Sequence, residues 1–108
     1  MCYQVYLTDD AVLDLEDLYS FIEYNYVTEK AEYVLDKIDE AFSSLSDNPQ
    51  RGSYPNELLA VGLKEYREIY FKPYRIIYRL VDKKVYIMVI ADGRRDMQSL
   101  LQRRLLQD

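Results

Sequence analysis

The sequence predicts an α+β domain in which one antiparallel-type sheet carries a helical hairpin on one face, in the order β-α-α-β-β-β-α. Two changes of pattern along the chain predict this class. Apolar residues recur every three to four positions over residues 9–45, which indicates amphipathic helices, and they recur every second position from about residue 65, which indicates strands. The 108 residues are enough for a single domain, residues 1–108, with its own core.

The predicted hairpin follows a short strand at residues 2–7, whose valine and tyrosines favour extended backbone. Thr8 and Asp9 offer an N-cap for a first helix that ends at about residue 26, and Thr28 offers one for a second helix that ends near Leu45. We expect the two helices to pack as an antiparallel pair against the sheet. The core between them should contain Leu18, Ile22, Ile38 and Phe42 from the helices and Ile76 or Ile77, Ile87 and Val89 from the sheet.

The second half of the chain is predicted to be mostly strand. A surface loop rich in turn residues, with one helical turn at residues 56–60, connects the helices to the sheet. Short turns then separate three strands, and a last helix capped by Asp96 carries Leu100, Leu101 and Leu105. The third of these strands is apolar on both faces, which predicts a central position. The strands are Glu65–Phe71, Tyr74–Val81 and Val85–Ala91.

Composition excludes several kinds of chemistry. The chain has no histidine, so it has no histidine-based catalytic triad and no imidazole acid or base. Its single cysteine, Cys2, cannot form an internal disulfide, and no signal peptide or long apolar run is present, so we expect a cytoplasmic protein with no membrane association. No metal site and no cofactor is expected.

Charge is unevenly distributed along the chain. The net charge is −5, yet residues 1–63 carry 13 acidic and three basic residues, whereas residues 64–108 carry 11 basic and six acidic residues. Ordinary solvated helix faces explain this as well as a basic surface for an anionic partner does.

Arginines of the second half are the candidate site residues. Arginine binds phosphates and carboxylates through bidentate, charge-assisted hydrogen bonds, and these arginines could converge on the sheet face opposite the hairpin. The alternative is that they are structural and pair with Glu65, Glu68, Asp92 or Asp96. The candidates are Arg67, Arg75, Arg79, Arg94 and Arg95.

Three segments of the second half together resemble the RelE/ParE superfamily of bacterial type II toxins. The segments are Arg67-Glu68-Ile69, the strand Tyr74–Asp82 that begins Tyr-Arg-Ile-Ile-Tyr-Arg, and the strand Val85–Asp96 that ends Gly-Arg-Arg-Asp. The helical hairpin and the loop Asn48–Gly52 are also similar, so the resemblance extends over nearly the whole chain. It implies a toxin that a cognate antitoxin holds inactive by wrapping an extended segment around it.

The superfamily contains two activities. RelE-like members cut messenger RNA in the ribosome, and ParE-like members inhibit DNA gyrase. The resemblance places Arg75 and Arg95 at two arginines of the RNA-cutting branch, with Arg67 one residue from a third basic position. Leu101, however, stands where that branch has a catalytic tyrosine, and RNA cleavage needs a proton acceptor and a donor near the phosphate.

We therefore favour a ParE-like toxin that inhibits DNA gyrase by protein–protein contact. The alternatives are a RelE-like ribosome-dependent endoribonuclease that acts on messenger RNA through Arg67, Arg75 and Arg95, and a degenerate member that only binds its antitoxin. In the favoured interpretation, the residues that contact the antitoxin or the target are Arg67, Arg75, Arg79, Arg94, Arg95 and Leu101.

Overall fold

The computed structural model describes residues 2–106 and has the predicted order of elements. No helix among these residues combines the length and apolar character that crossing a membrane requires. A 3-10 turn at Ser44–Ser46 follows α2, and a π-type turn at Gln102–Leu106 follows α4. The elements are β1 (Gln4–Leu7), α1 (Asp9–Asn25), α2 (Thr28–Ser43), α3 (Asn56–Leu59), β2 (Tyr66–Phe71), β3 (Tyr74–Val81), β4 (Lys84–Asp92) and α4 (Met97–Leu101).

The four strands form one sheet in the order β1-β4-β3-β2. Strands β2, β3 and β4 are an antiparallel meander, and β4 lies inside the sheet, as its apolar faces predict. One pair departs from the antiparallel expectation, because β1 runs parallel to β4, from Gln4 opposite Lys84 to Leu7 opposite Ile87. Parallel neighbours need a long crossover connection, and the hairpin with the strands after it supplies that connection here.

The helix caps follow the sequence in two of three cases. The Thr8 side chain accepts a hydrogen bond from the Ala11 amide at the start of α1, and Asp96 accepts one from the Ser99 amide at the start of α4. The prediction for Thr28 is wrong: Thr28 is the first residue of α2, and Val27 takes the N-cap position without a side-chain hydrogen bond.

A hydrophobic core lies on each face of the sheet. The first core joins the hairpin to the sheet and confirms the predicted burial of Ile22, Ile38 and Phe42, while Leu18 is half-buried at its margin. The second core was not predicted, because the other face was expected to be open. It consists of Leu58, Tyr66, Ile77, Val89, Ala91, Met97, Leu100 and Leu101.

A β-bulge explains why Val89 is not in the core that was predicted for it. The pairing of β3 with β4 shifts between Ile77, opposite Val89, and Tyr78, opposite Ile87, so Met88 is an extra residue on β4. An extra residue reverses the alternation of side chains beyond it. Ile87 therefore faces the hairpin, and Val89 faces the second core.

The loop between the 3-10 turn and β2 is held against the sheet. The buried Tyr78 hydroxyl donates to the Pro49 carbonyl at 2.7 Å and accepts from the Gly52 amide at 3.1 Å. Ser53 exchanges two backbone hydrogen bonds with Glu68 on β2. A Cβ at Gly52 would lie 2.6 Å from the Tyr78 hydroxyl, so only glycine fits there. These contacts bring α3 onto the second face of the sheet.

Candidate functional site

Arg75, one of the arginines to which the resemblance points, is buried in a cluster of carboxylates. It is 8% exposed and lies on the face of β3 that carries the second core. Its Nη1 and Nη2 atoms donate to both carboxylate oxygens of Glu57 on α3, each at 2.8 Å. Its Nε atom donates to Glu68 on β2 at 2.7 Å, and the second oxygen of Glu68 accepts from the Tyr70 hydroxyl at 2.9 Å. One guanidinium thus binds two carboxylates.

The ionised forms of this cluster stabilise one another. Hydrogen bonds from Arg75 lower the pKa of Glu57, against the opposing effect of partial burial. Hydrogen bonds to Glu57 raise the pKa of Arg75 above its ordinary value. This effect is larger than the opposing effect of burial. Burial and then the bond to Glu68 raise the pKa of the Tyr70 phenol. The cluster therefore stays ionised at Arg75 and Glu57 at neutral pH.

This arrangement leaves Arg75 little capacity to bind a phosphate. The edge of the guanidinium formed by Nη1 and Nη2 is filled by Glu57, and Nε on the adjacent edge is used by Glu68. Gly93 packs on the aliphatic stem, where a Cβ would lie 2.8 Å from the Arg75 Cδ atom. Glu68 is one of the acids that the sequence predicted as partners if the arginines are structural. Glu57 was missed, because its approach depends on how the loop folds.

The predicted arginines do not converge on one face. Cross-strand partners share a face, so Arg75 and Arg79 lie on the face of the second core, whereas Arg67, opposite Tyr78, lies on the hairpin side. Arg67 donates to the Gly52 carbonyl at 2.8 Å and to the Tyr54 hydroxyl at 3.2 Å. The expectation of a single arginine surface opposite the hairpin is therefore wrong for Arg67.

The exit from β4 carries the remaining two arginines. Arg94 forms an exposed ion pair with Asp92, whose pKa it lowers through its hydrogen bonds. The Arg95 side chain is exposed, and within residues 2–106 it has no ion pair. Leu101, the remaining candidate, is buried in the second core. Its position rules out direct contact with a partner unless α4 moves.

A groove of about 740 Å³ lies between the hairpin and the sheet. Phe21, Tyr26 and Tyr33 stand exposed along its helical side. Charged side chains of both signs line it, and the Lys30 ammonium lies 3.8 Å from the centre of the Tyr26 ring. Asp14 and Asp92 are paired with Arg104 and Arg94. The bases of the lining are Lys30, Lys72, Arg94 and Arg95, and its acids are Asp14, Asp17 and Asp92.

Sequence reasoning assigned only two of these groove residues, Arg94 and Arg95, to a site. Aromatic residues that lie off the buried stripe of an amphipathic helix were the available signal, because Phe21 and Tyr33 occupy such positions. Large apolar side chains on the polar side of a helix indicate a contact surface when they are neighbours in space.

The wall of the groove includes a strand edge that side chains cover. Strand β1 pairs with β4 only as far as Ile87, and β4 continues to Asp92. Beyond that point, Asp14 of α1 accepts a hydrogen bond from the Ile90 amide at 3.0 Å, and Arg104 donates to the Met88 carbonyl at 2.9 Å. Asp14 and Arg104 also form a bidentate ion pair at 2.9 and 3.0 Å. We call these two residues the clamp.

The acidic side chains of the described residues do not form a metal site. Among residues 2–106, no three carboxylate, cysteine or histidine side chains lie close enough to hold an ion. The acids that approach one another are bound to arginines instead, in the Arg75 cluster and in the clamp. What the groove offers is exposed aromatic side chains beside charged ones, a composition typical of protein–protein contact surfaces.

A family model described as the ParE toxin of type II toxin–antitoxin systems, parDE, matches residues 5–97. The chain has no significant match among curated protein sequences. One similar solved structure is a chromosomal ParDE toxin–antitoxin system from P. aeruginosa, with a TM-score of 0.70 and 19% identity. The alignment covers 84% of this chain and 96% of that one.

Two further solved structures have the same fold. The toxin–antitoxin complex RelBE2 from Mycobacterium tuberculosis has a TM-score of 0.59 and 24% identity, over 85% of this chain and 92% of that one. E. coli RelE in its free state, with two arginines changed to alanine, has a TM-score of 0.58 and 16% identity, over 97% and 100%. These likenesses bear out the predicted α+β fold of RelE/ParE-like toxins, whereas the two-layer part of the prediction is wrong, because α3 and α4 cover the second face of the sheet.

Proposed function

Since the chain belongs to the ParE toxin family of type II toxin–antitoxin systems, we propose that it inhibits DNA gyrase by protein–protein contact and that a cognate antitoxin neutralises it. Both the family model and the ParDE structural neighbour favour the ParE branch over the RelE branch. Gyrase acts in the bacterial cytoplasm, so the proposal places the toxin there as a single domain.

The sequestration of Arg75 is the observation that carries this proposal. A ribonuclease of the RelE kind would need that guanidinium at the scissile phosphate and a proton donor nearby. Here two carboxylates occupy Arg75, and Leu101 is buried where the resemblance would put a catalytic tyrosine. Inhibition by binding needs neither group. The structural cluster thus supports a toxin without a nuclease site.

The groove is the surface we propose for the antitoxin. Its exposed aromatic side chains suit an extended segment that carries apolar side chains, with acidic ones placed against individual bases such as Lys72 and Arg95. The toxin itself has a net charge of −5, so attraction of an acidic partner must come from such local contacts and not from the overall charge. Apolar contacts should supply most of the affinity.

Controlled expression without an antitoxin tests the proposed target. Plasmid supercoiling, double-strand breaks and messenger RNA ends are followed in parallel during the first minutes after induction. We expect loss of negative supercoiling or DNA breaks, and no new messenger RNA ends inside translated codons. Discrete codon-specific cleavage would instead make the protein a RelE-like endoribonuclease. Absence of any toxicity, with antitoxin binding retained, would make it a degenerate member.

A matched pair of variants tests the groove. Phe21 lines the groove, whereas Tyr24, three residues further along α1, is 90% exposed and lies outside it. Phe21→Ser should weaken binding of the cognate antitoxin at least about tenfold, since it removes an apolar anchor. Tyr24→Ser, a change of the same kind, should leave affinity unaltered. Equal effects of the two changes in a calorimetric titration would show that the antitoxin binds elsewhere.

A further inference from the structure

A second concave site lies at the opposite end of the β2–β3 pair from the groove. It has a volume of about 250 Å³ and sits where β2 begins and β3 ends, so side chains from both faces of the sheet reach it. Its residues are unusually basic for this acidic protein, with three cations and one carboxylate. They are Tyr54, Lys64, Glu65, Arg67, Arg79 and Leu80.

Arg67 is fixed in this site before any ligand arrives. Its Nη1 atom is held by the Gly52 carbonyl and its Nη2 atom by the Tyr54 hydroxyl. Its guanidinium carbon lies 4.7 Å from the centre of the Tyr54 ring, which supports the planar group from one side. Within residues 2–106, the Nε–H of Arg67 has no acceptor, so one edge of the guanidinium remains available.

The other two cations of the site are weakly engaged. Arg79 is 3.5 Å from Glu65, in a pair that is about half exposed and therefore contributes little. Lys64 is exposed and has no ion pair among the described residues. Three cations thus surround the space, and the single carboxylate leaves two positive charges uncompensated there.

We propose that this site binds a phosphate group. A phosphate offers several oxygens in a tetrahedral arrangement and can accept from Arg67, Lys64, Arg79 and the Tyr54 hydroxyl at once, whereas one arginine edge satisfies a carboxylate. The site is smaller than the roughly 300–1,000 Å³ of pockets that enclose whole small molecules. It therefore suits one group of a larger ligand or a free phosphate compound.

The proposal is independent of gyrase and antitoxin, because it is tested on the toxin alone. The probes are inorganic pyrophosphate, followed by amide NMR shifts around Gly52 and Tyr54, and a short fluorescent DNA duplex, followed by anisotropy at several salt concentrations. Lys64→Gln/Arg79→Gln removes two charges from the site, one exposed and one half-exposed. Lys37→Gln/Arg103→Gln removes the same charge from one half-exposed and one exposed position that do not line it.

We expect the site variant to weaken binding of the probes about tenfold. For the duplex, the slope of the logarithm of affinity against the logarithm of salt concentration should fall by about one to two. The control variant should match the parent in both measurements. Binding of both probes assigns the phosphate to nucleic acid, and binding of pyrophosphate alone assigns it to a free phosphate compound. Failure of both probes, equal effects of the two variants, or binding of an acidic peptide in their place would overturn the proposal.

Discussion

Arg75 connects three separate parts of the molecule through one side chain. From β3 it binds Glu68 on β2 and Glu57 on α3. Because α3 belongs to the loop before β2, the bond to Glu57 also attaches this loop to the sheet. A buried guanidinium is tolerated because every nitrogen meets a carboxylate, and the buried Glu68 depends on it in turn. The side chain stabilises the loop as well as its own strand.

Removing this side chain should therefore be costly. Arg75→Ala leaves Glu68 buried with no guanidinium partner, and breaking a buried ion pair costs about 3–5 kcal/mol. Arg79→Ala, on the same strand and face, removes a surface pair and should cost about 1 kcal/mol or less. Urea denaturation followed by circular dichroism measures both. Similar midpoints for the two variants would mean that the cluster adds no stability.

Glu57 should make stability depend on pH in acid. Its pKa is lowered in the folded protein by hydrogen bonds from Arg75, whereas in the unfolded chain the pKa takes its ordinary value of about 4.3. The stabilisation is thus complete above about pH 5 and is lost as the pH falls, when the folded carboxylate must bind a proton. The free-energy gap between parent and Glu57→Gln should shrink from pH 6 toward about pH 3. A constant gap across this range would contradict the assignment.

At the scale of elements, the sheet is stabilised from both sides. The hairpin covers one face through the first core, and α3 and α4 cover the other through Leu58, Met97, Leu100 and Leu101. Because α4 has only five residues, packing rather than helix propensity must hold it in place. The clamp adds to this packing, since Arg104 binds α1 and the edge of β4 together.

Phe42 tests the packing of the hairpin. It is buried where α2 meets the sheet, so Phe42→Ala should lower the free energy of unfolding by roughly 3–5 kcal/mol. Phe21→Ala makes the same chemical change at a position that is 62% exposed and should cost much less. Thermal melting compares the two. An unchanged melting temperature for Phe42→Ala would show that α2 does not pack as described.

The local sequence pattern was sufficient to predict the helices and strands. It failed where contacts between residues far apart in the sequence determine the structure. The alternation in Tyr74–Val81 gave that strand its correct limits, and the apolar run of β4 gave its central position. The bulge at Met88 has no local signature, since it depends on pairing with β3, and so Val89 was assigned to the wrong face. Glu57 and Arg104 were missed as partners for the same reason: each meets a residue far away in the sequence.

For the whole molecule, the local charge at the two concave sites differs in sign from the net charge. The net charge of −5 repels an acidic partner at long range, while bases outnumber acids by four to three along the groove and by three to one at the site around Arg67. Long-range steering should therefore contribute little to association, and contacts within the groove should contribute most.

The toxin–antitoxin complex should consequently resist salt. Contacts that exclude water are screened little, so raising sodium chloride from physiological to about 1 M, where the screening length is about 3 Å, should change the dissociation constant by less than about tenfold. Analytical ultracentrifugation or calorimetry at several salt concentrations measures this. Dissociation at moderately raised salt would indicate that exposed ion pairs hold the complex.

The parallel pairing of β1 with β4 has a consequence for the order in which a new toxin molecule matures. Translation delivers β1 and the hairpin first, but the strand that pairs with β1 begins only at Lys84, and the partner of Asp14 is Arg104. Contacts between such distant positions form late, because the intervening chain must be made before they can close. A nascent chain that has not reached residue 104 therefore has neither a finished groove nor a covered second face. Binding at the groove can therefore begin only after residue 104 has been made, whichever partner the groove takes.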